Sequence, residues 1–240
     1  MKTKGFFPRL WRFIKRLFII LFIAQFVYII LLKWIDPPVT ITQLSSLLSG
    51  HGLKRDYVNQ HNISPVAKLA VIASEDQLFP DHNGFDFKSI KKAMKHNQKS
   101  KSLHGASTIS QQTAKNVFLW QGRSWMRKGL EVYFTFMIEK IWGKKRILDV
   151  YMNVAEMGDG IFGIEKAAQK YFNKDANSLS RQQAAMIAAC LPNPRRYSVK
   201  PVSKYVAIRS GWVLRQMNNL NNDPDIKDLI YNSSKNSEKK

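Results

Sequence analysis

Apolar positions along the chain form one unbroken run near the N-terminus, followed by a succession of segments with helical spacing. Residues 17–32 read LFIILFIAQFVYIILL, interrupted only by Gln25. With Phe13, Ile14, Trp34 and Ile35, this run reaches the ~20 residues a helix needs to cross a bilayer. Pro37 and Pro38 end it, because proline lacks the N–H and disfavours helical geometry in the residue before it. Residues 40–62 show little periodicity and read as a polar connector. Ser64 followed by Pro65 is a helix start, an N-cap with proline at the first helical position. Val66, Leu69, Ala70 and Ala73 then form one apolar face that leads to Glu75. Asp86 can cap a helix through about Lys95, Ser107 one through Asn116, and Ser124 one to about Trp142, where Gly143 is a natural stop. Further helices are predicted over residues 145–155, 161–172, 181–191 and 202–220. No run has the alternation of a strand, and the tail after Asn221 is polar and reads as frayed. The predicted class is all-α.

Charge sharpens this plan. The 240 residues carry a formal net charge of +21, which calls for an acidic partner such as nucleic acid, anionic lipid or a phosphorylated substrate. Residues 1–16 contain Lys2, Lys4, Arg9, Arg12, Lys15 and Arg16 and no acid. Basic residues before an apolar span stay in the cytoplasm, which puts everything after residue 35 outside. A cleavable signal peptide would have a shorter apolar core and a small-residue cleavage site, whereas Lys33-Trp34-Ile35-Asp36 follows here. The expected organisation is a basic cytoplasmic tail (1–16), a transmembrane helix (17–35), a linker (36–60), one helical domain (61–221) and a polar tail (222–240). An extracytoplasmic domain argues against nucleic acid as the partner. Cys190, the single cysteine, lies in the apolar run AAMIAACLP and reads as a packing residue that can form no intramolecular disulfide.

Candidate chemistry gathers in residues 75–116. Thr108, Gln111 or Gln112, and Lys115 recur at helical spacing, giving a face of uncharged hydrogen-bonding groups that ends in one lysine. Such a face suits a polyhydroxylated, anionic ligand. Glu75 and Asp76 are adjacent, so on a helix they point about 100° apart and cannot both face one atom. Acids at a helix C-terminus oppose the helix dipole and need a compensating reason. Arg127 and Lys128 lie four and three residues before Glu131, close enough for ion pairs that by themselves need no function. Asp81-His82-Asn83-Gly84 reads as a braced turn, since no second histidine stands at ligand spacing. Gly158, Gly160 and Gly163 mimic a dinucleotide fingerprint but follow a helical pattern instead of a strand. Ser89-x-x-Lys92 lacks the companion motifs of an acyl-transferring serine enzyme.

Two stretches carry a resemblance. E-D-x-x-F-x-x-H-x-G at residues 75–84 and G-x-S-T-I-x-Q-Q-x-x-K-N at residues 105–116 resemble the first two signatures of the peptidoglycan glycosyltransferases of family 51. R-K-x-x-E at 127–131, I-L-x-x-Y-x-N at 147–153, the glycines 158–163, A-A-x-x-Y-F at 167–172 and L-P-N-P-x-x-Y at 191–197 extend it over roughly residues 60–215. Asp149 and Gln182-Gln183 stand where the family often has glutamate. The absence of transpeptidase motifs resembles the stand-alone members.

The resemblance implies a lysozyme-like helical fold and an inverting enzyme that polymerises lipid II into β-1,4-linked glycan with release of undecaprenyl diphosphate. It implies Glu75 as general base and Glu131 at the donor end, positioning cations or a divalent metal (Mg or Mn) around the diphosphate. Substrate contact is carried over to Asp76, Phe79, His82, Gly84, Ser107, Thr108, Gln111, Gln112, Lys115, Asn116, Arg123, Arg127 and Lys128. The implied partners are lipid II, the growing glycan, membrane lipid, and other wall-synthesis or division proteins. The implied location is a bacterial inner membrane. The competing reading is a membrane-anchored lytic transglycosylase or muramidase, which needs a glutamic general acid and leaves Lys115, Arg123 and Arg127 idle. Phe118, Leu119, Trp120, Phe134 and Phe136 are candidates for an apolar surface where lipid enters.

Overall fold

The computed structural model describes residues 6–99, 105–122 and 124–231. The chain divides into two units, Met1–Asp36 and Pro37–Lys240. In the first, α1 (Phe6–Leu31) is long and apolar enough over Pro8–Leu31 to cross a membrane, with a mean hydropathy of 2.2. Turn hydrogen bonds carry the coil on as far as Ile35 N to Leu31 O.

The second unit is helical, as predicted, with one small sheet. It opens with α2 (Ile41–Leu48), where the sequence had suggested a connector without structure. Thr40 caps α2, and Gln43 returns the bond to the Thr40 backbone, a reciprocal pair that satisfies two otherwise orphaned amides. Three short strands follow the order β1-β3-β2, with β1 (Lys54–Arg55) parallel to β3 (Ile161–Phe162), and β3 antiparallel to β2 (Glu156–Gly158). These strands correct the strand-free expectation, and β3 occupies residues assigned by periodicity to a helix. The glycines 158–163 therefore form a hairpin and its exit. Gly160 has φ +65°, and a Cβ there would lie 2.0 Å from the His51 carbonyl oxygen, so close backbone approach explains it without a nucleotide.

The remaining helices are α3 (Pro65–Glu75), α4 (Phe87–Lys99), α5 (Ile109–Phe118), α6 (Trp125–Ile141), α7 (Lys144–Val154), α8 (Ile164–Phe172), α9 (Arg181–Cys190), α10 (Lys204–Leu220) and α11 (Pro224–Tyr231). Ser64, Ser124 and Ser203 cap α3, α6 and α10 through their side chains. Ser180 and Gln183 form a capping box on α9. Glutamine and glutamate both complete such a box, which accounts for Gln183 where relatives of the pattern carry glutamate. α11 corrects the frayed tail: Ile226, Leu229 and Ile230 are buried against α3 and α7.

Two layers meet at the site. α3, α9 and α10 pack against one another, and α5 packs against α6 and α7. The core is built from small and branched side chains, with Ala70, Ala73, Ala185 and Ala188 fully buried, allowing α3 and α9 to approach closely. Cys190 is buried as expected, donates to the Met157 carbonyl, and has its thiol pushed up to about 12 by burial. The aromatic candidates divide. Phe118 stacks on Phe134 at 4.6 Å and Leu119 is buried, whereas Trp120 and Phe136 are exposed.

Candidate active site

The last turn of α3 delivers Glu75 and Asp76 to opposite tasks. Asp76 is buried: His82 Nε2 approaches its two oxygens at 3.0 and 3.1 Å, and the Ile109 amide donates to Oδ2 at 3.0 Å. Gly84 N–H donates to His82 Nδ1, so the histidine proton sits on Nε2 and faces Asp76. Thr108, not Ser107, caps α5. Its hydroxyl accepts from the Gln111 amide and donates to the Gly84 carbonyl at 2.7 Å, and Gln111 returns a bond to the Thr108 backbone. Gly84 has φ +87°, and a Cβ there would lie 2.7 Å from the Thr135 methyl. Asp76, His82, Gly84, Thr108 and Gln111, with the fully buried Phe79, thus form the scaffold that fastens the 75–84 turn to α5. Ser107 is exposed just before the cap, and Arg123 lies outside the described residues.

Glu75 turns the other way. Gln112 Nε2 donates to its Oε2 at 2.8 Å, and Ser74 Oγ lies 3.4 Å from Oε1. Tyr151 O–H donates to Gln112 Oε1 at 3.1 Å, which fixes the amide so that its NH2 faces Glu75. Burial raises the Glu75 pKa above the ordinary carboxylate range; the Gln112 bond and the Arg209 charge pull it back only in part. Arg209 reaches this point from α10, donating to the Ser74 carbonyl at 3.4 Å and stacking on Trp212 at 3.6 Å. A carboxylate whose nearest partners are uncharged, and whose affinity for a proton is raised, can exchange protons with a substrate hydroxyl.

Gln112, Lys115 and Asn116 form one wall of a cleft of about 300 Å³, which Tyr151, Thr42, Gln121, Glu156 and Arg195 help to line. Gln121 donates to Thr42 at 2.9 Å and Arg195 pairs with Glu156 at 3.0 Å, so the rim is held by side-chain bonds. The polar face predicted for α5 therefore splits: Thr108 and Gln111 turn inward, while Gln112, Lys115 and Asn116 face the cleft. Lys115 stands about 4.5 Å along the axis from Gln112. Its pKa is lowered, first by burial, against the raising pull of Glu131, with Arg127 and Lys128 lowering it further and Glu75 opposing them. On α6, buried Glu131 takes Arg127 Nη1 at 2.6 Å and Lys128 Nζ at 2.5 Å, one on each oxygen. Those two bonds occupy Glu131, His82 and the Ile109 amide occupy Asp76, and no group of three or more His, Cys, Asp or Glu converges among the described residues. The described side chains do not form a cage for a divalent cation.

Tyr151, Arg209 and the rim residues were not assigned from sequence. Tyr151 lay inside the I-L-x-x-Y-x-N block, which marked it without giving a task. Arg209 had no local signal, because its partner Ser74 is 135 positions away.

A helical domain that joins a carboxylate of raised proton affinity, through Gln112, to a polar cleft lined also by Lys115 suits group transfer on an anionic, hydroxyl-rich substrate. Residues 41–218 match the family model described as Transglycosylase, and the chain belongs to that family. It is 59% identical over 170 residues, 70% of each chain, to a biosynthetic peptidoglycan transglycosylase of Escherichia coli (strain ATCC 8739). Proteins of the same name from Shigella boydii serotype 4 (strain Sb227) and Escherichia coli (strain K12 / DH10B) are each 58% identical over the same shares.

Proposed function

We propose that this chain is a membrane-anchored peptidoglycan glycosyltransferase that joins lipid II units into β-1,4-linked glycan. The observation that carries the reading is α5, whose consecutive cleft-facing residues Gln112 and Lys115 connect a proton-accepting carboxylate to a cationic end. Glu75 takes the proton of the acceptor sugar hydroxyl as that oxygen attacks the anomeric carbon of the donor. The bond from this carbon to the diphosphate breaks on the opposite face, and the electron pair leaves with the diphosphate. Lys115, Arg127 and Lys128 receive the growing negative charge, and Glu131 holds Arg127 and Lys128 in place. No step here depends on a divalent cation.

The raised affinity of Glu75 for a proton would also serve the general acid of a lytic enzyme. That reading leaves the cation cluster without a task, and the relatives are named as biosynthetic transglycosylases. Anchoring by α1, with the domain on the extracytoplasmic side, is supported by the apolar span and by the basic residues that precede that span in the first turns of the helix. The test offers the full-length protein, in separate reactions, purified lipid II and preformed glycan. Polymer from the first and an unchanged second are expected. Fragments from the second, with no polymer from the first, would overturn the proposal. A periplasm-active reporter fused after residue 35 should be active, and silence there would reverse the topology.

A further inference from the structure

α2 is folded inside out. Its polar residues face the interior, with Thr42 4%, Gln43 0% and Ser46 0% exposed, while Ile41, Leu44, Leu47 and Leu48 are 45, 48, 49 and 79% exposed. The inward orientation is fixed by bonds. Gln43 Oε1 accepts from the Thr40 amide and from Arg55 Nη1, Ser46 Oγ donates to the Gly52 carbonyl at 2.9 Å, and Thr42 Oγ1 accepts from Gln121 at the cleft rim. Rolling the helix to hide its leucines would break the bonds to Arg55, Gly52 and Gln121 and leave those polar groups unpaired. The apolar stripe at positions 41, 44, 47 and 48 is therefore held outward, the pattern of a helix that lies in an interface between water and lipid.

The chain itself names the occupant. Hydrogen-bonded turns continue α1 to Ile35, and α2 begins at Ile41, so six Cα steps separate them. Fully extended, they span at most about 21 Å. A headgroup layer is roughly 5–8 Å deep on each side of the hydrocarbon. If α1 spans the bilayer, α2 starts within reach of that layer. Residues 37–55 contain no acid and end in Lys54 and Arg55, and the whole chain carries +21, which favours an anionic leaflet over a second copy of this chain. We infer that α2 seats its outward leucines in the headgroup–acyl boundary of the bilayer and so holds the Thr42–Gln121 rim of the cleft at the membrane surface. A substrate whose diphosphate lies at the headgroups then meets the cleft without leaving its leaflet. This rests on the anchoring proposed for α1 and adds a second, shallow contact on the catalytic unit.

The test uses full-length protein in phosphatidylethanolamine–phosphatidylglycerol vesicles, with one environment-sensitive fluorophore per variant. Buried Cys190, with its raised pKa, leaves little background labelling. Leu48→Cys should report a shift to shorter wavelength and strong quenching by lipids spin-labelled near the headgroup. Phe22→Cys in α1 should be quenched by lipids labelled deep in the chain, and exposed Lys174→Cys by neither. A Phe22 label in lipid with a Leu48 label as wet as that at 174 would overturn this inference and leave the anchor standing. A wet Phe22 label would overturn both. A Leu48 label shielded from water yet unquenched by any spin-labelled lipid would mean that protein covers α2, and would likewise overturn it. As a functional check, Leu44→Ser/Leu48→Ser should lower polymerisation of vesicle-embedded substrate about tenfold. It should leave activity on a short-chain, detergent-dispersed analogue unchanged; equal loss on both would count against the inference.

Discussion

The two glutamates of the site are the same residue type in opposite surroundings. Glu75 is approached by an amide and a hydroxyl, sits in a setting that raises its proton affinity, and has a nearby cation, Arg209, bonded to a carbonyl. Glu131 has a cation on each oxygen and acts electrostatically on a third, Lys115. Surroundings, more than residue identity, assign the roles: uncharged partners leave a carboxylate able to take up a proton, whereas paired cations make it a fixed counter-charge.

The largest test of that contrast is Glu75→Gln, which keeps size and hydrogen bonding but removes the base. Polymerisation should fall by about 10²–10⁴-fold while lipid II still binds. A folded variant with near-normal turnover would end the distinction. Lys115→Ala comes next. A charge-assisted contact to phosphate contributes about 1.5–3 kcal/mol, so a loss of tenfold or more is expected, against little change for Lys92→Ala on the exposed face of α4. Equal, small effects would reduce the cation end to general attraction for anionic membrane.

Tyr151→Phe should be milder and more telling. Without the hydroxyl, nothing orients the Gln112 amide, and the bond that lowers the Glu75 pKa weakens. Turnover should drop several-fold, and the acid limb of the rate–pH profile should move to higher pH. A proportional loss at every pH would make Tyr151 a packing residue only.

The smallest effect is on stability. Because the folded-state pKa of Glu75 is raised, the folded protein binds that proton more tightly than the unfolded chain does. The resulting stabilisation is complete below the ordinary glutamate range and is lost as pH rises through the folded value. Glu75→Gln should therefore raise the melting temperature more at pH 8 than at pH 4, by about 2–4 °C for each kcal/mol recovered. Thermal unfolding of the detergent-solubilised protein at the two pH values reads this directly.

Sequence carried the parts of the fold whose signals are local. Ser64-Pro65, Ser124 and Gly143 mark helix ends by backbone chemistry that tertiary packing does not override. The start of α5 was misplaced by one residue although the deciding sign was present. Thr108 has glutamine three positions on and can close a capping box, whereas Ser107 has Ser110. α2 was missed because periodicity finds helices by their buried apolar face, and this one buries its polar face. The strands, two or three residues long, are too short for alternation to register. In the site, acids and cations were legible as types and spacings. Which of them face the cleft was not: Asp76 and Glu75 are neighbours in sequence, and only the approach of His82 and the Ile109 amide separates their tasks.

That approach has a mechanical corollary. Asp76 to the Ile109 amide and Gly84 to Thr108 close the base of a long excursion of the chain, and α4 within it buries no residue. Lys88, Lys91, Lys92, Lys95 and Lys99 are all exposed along that helix. Brief trypsin treatment should nick the chain there first, producing two fragments that migrate separately under denaturing conditions yet co-purify when native. The clip at the base would keep the nicked halves in register, so the excursion could be cut, lengthened or fitted with a probe while the two signatures it separates stay joined.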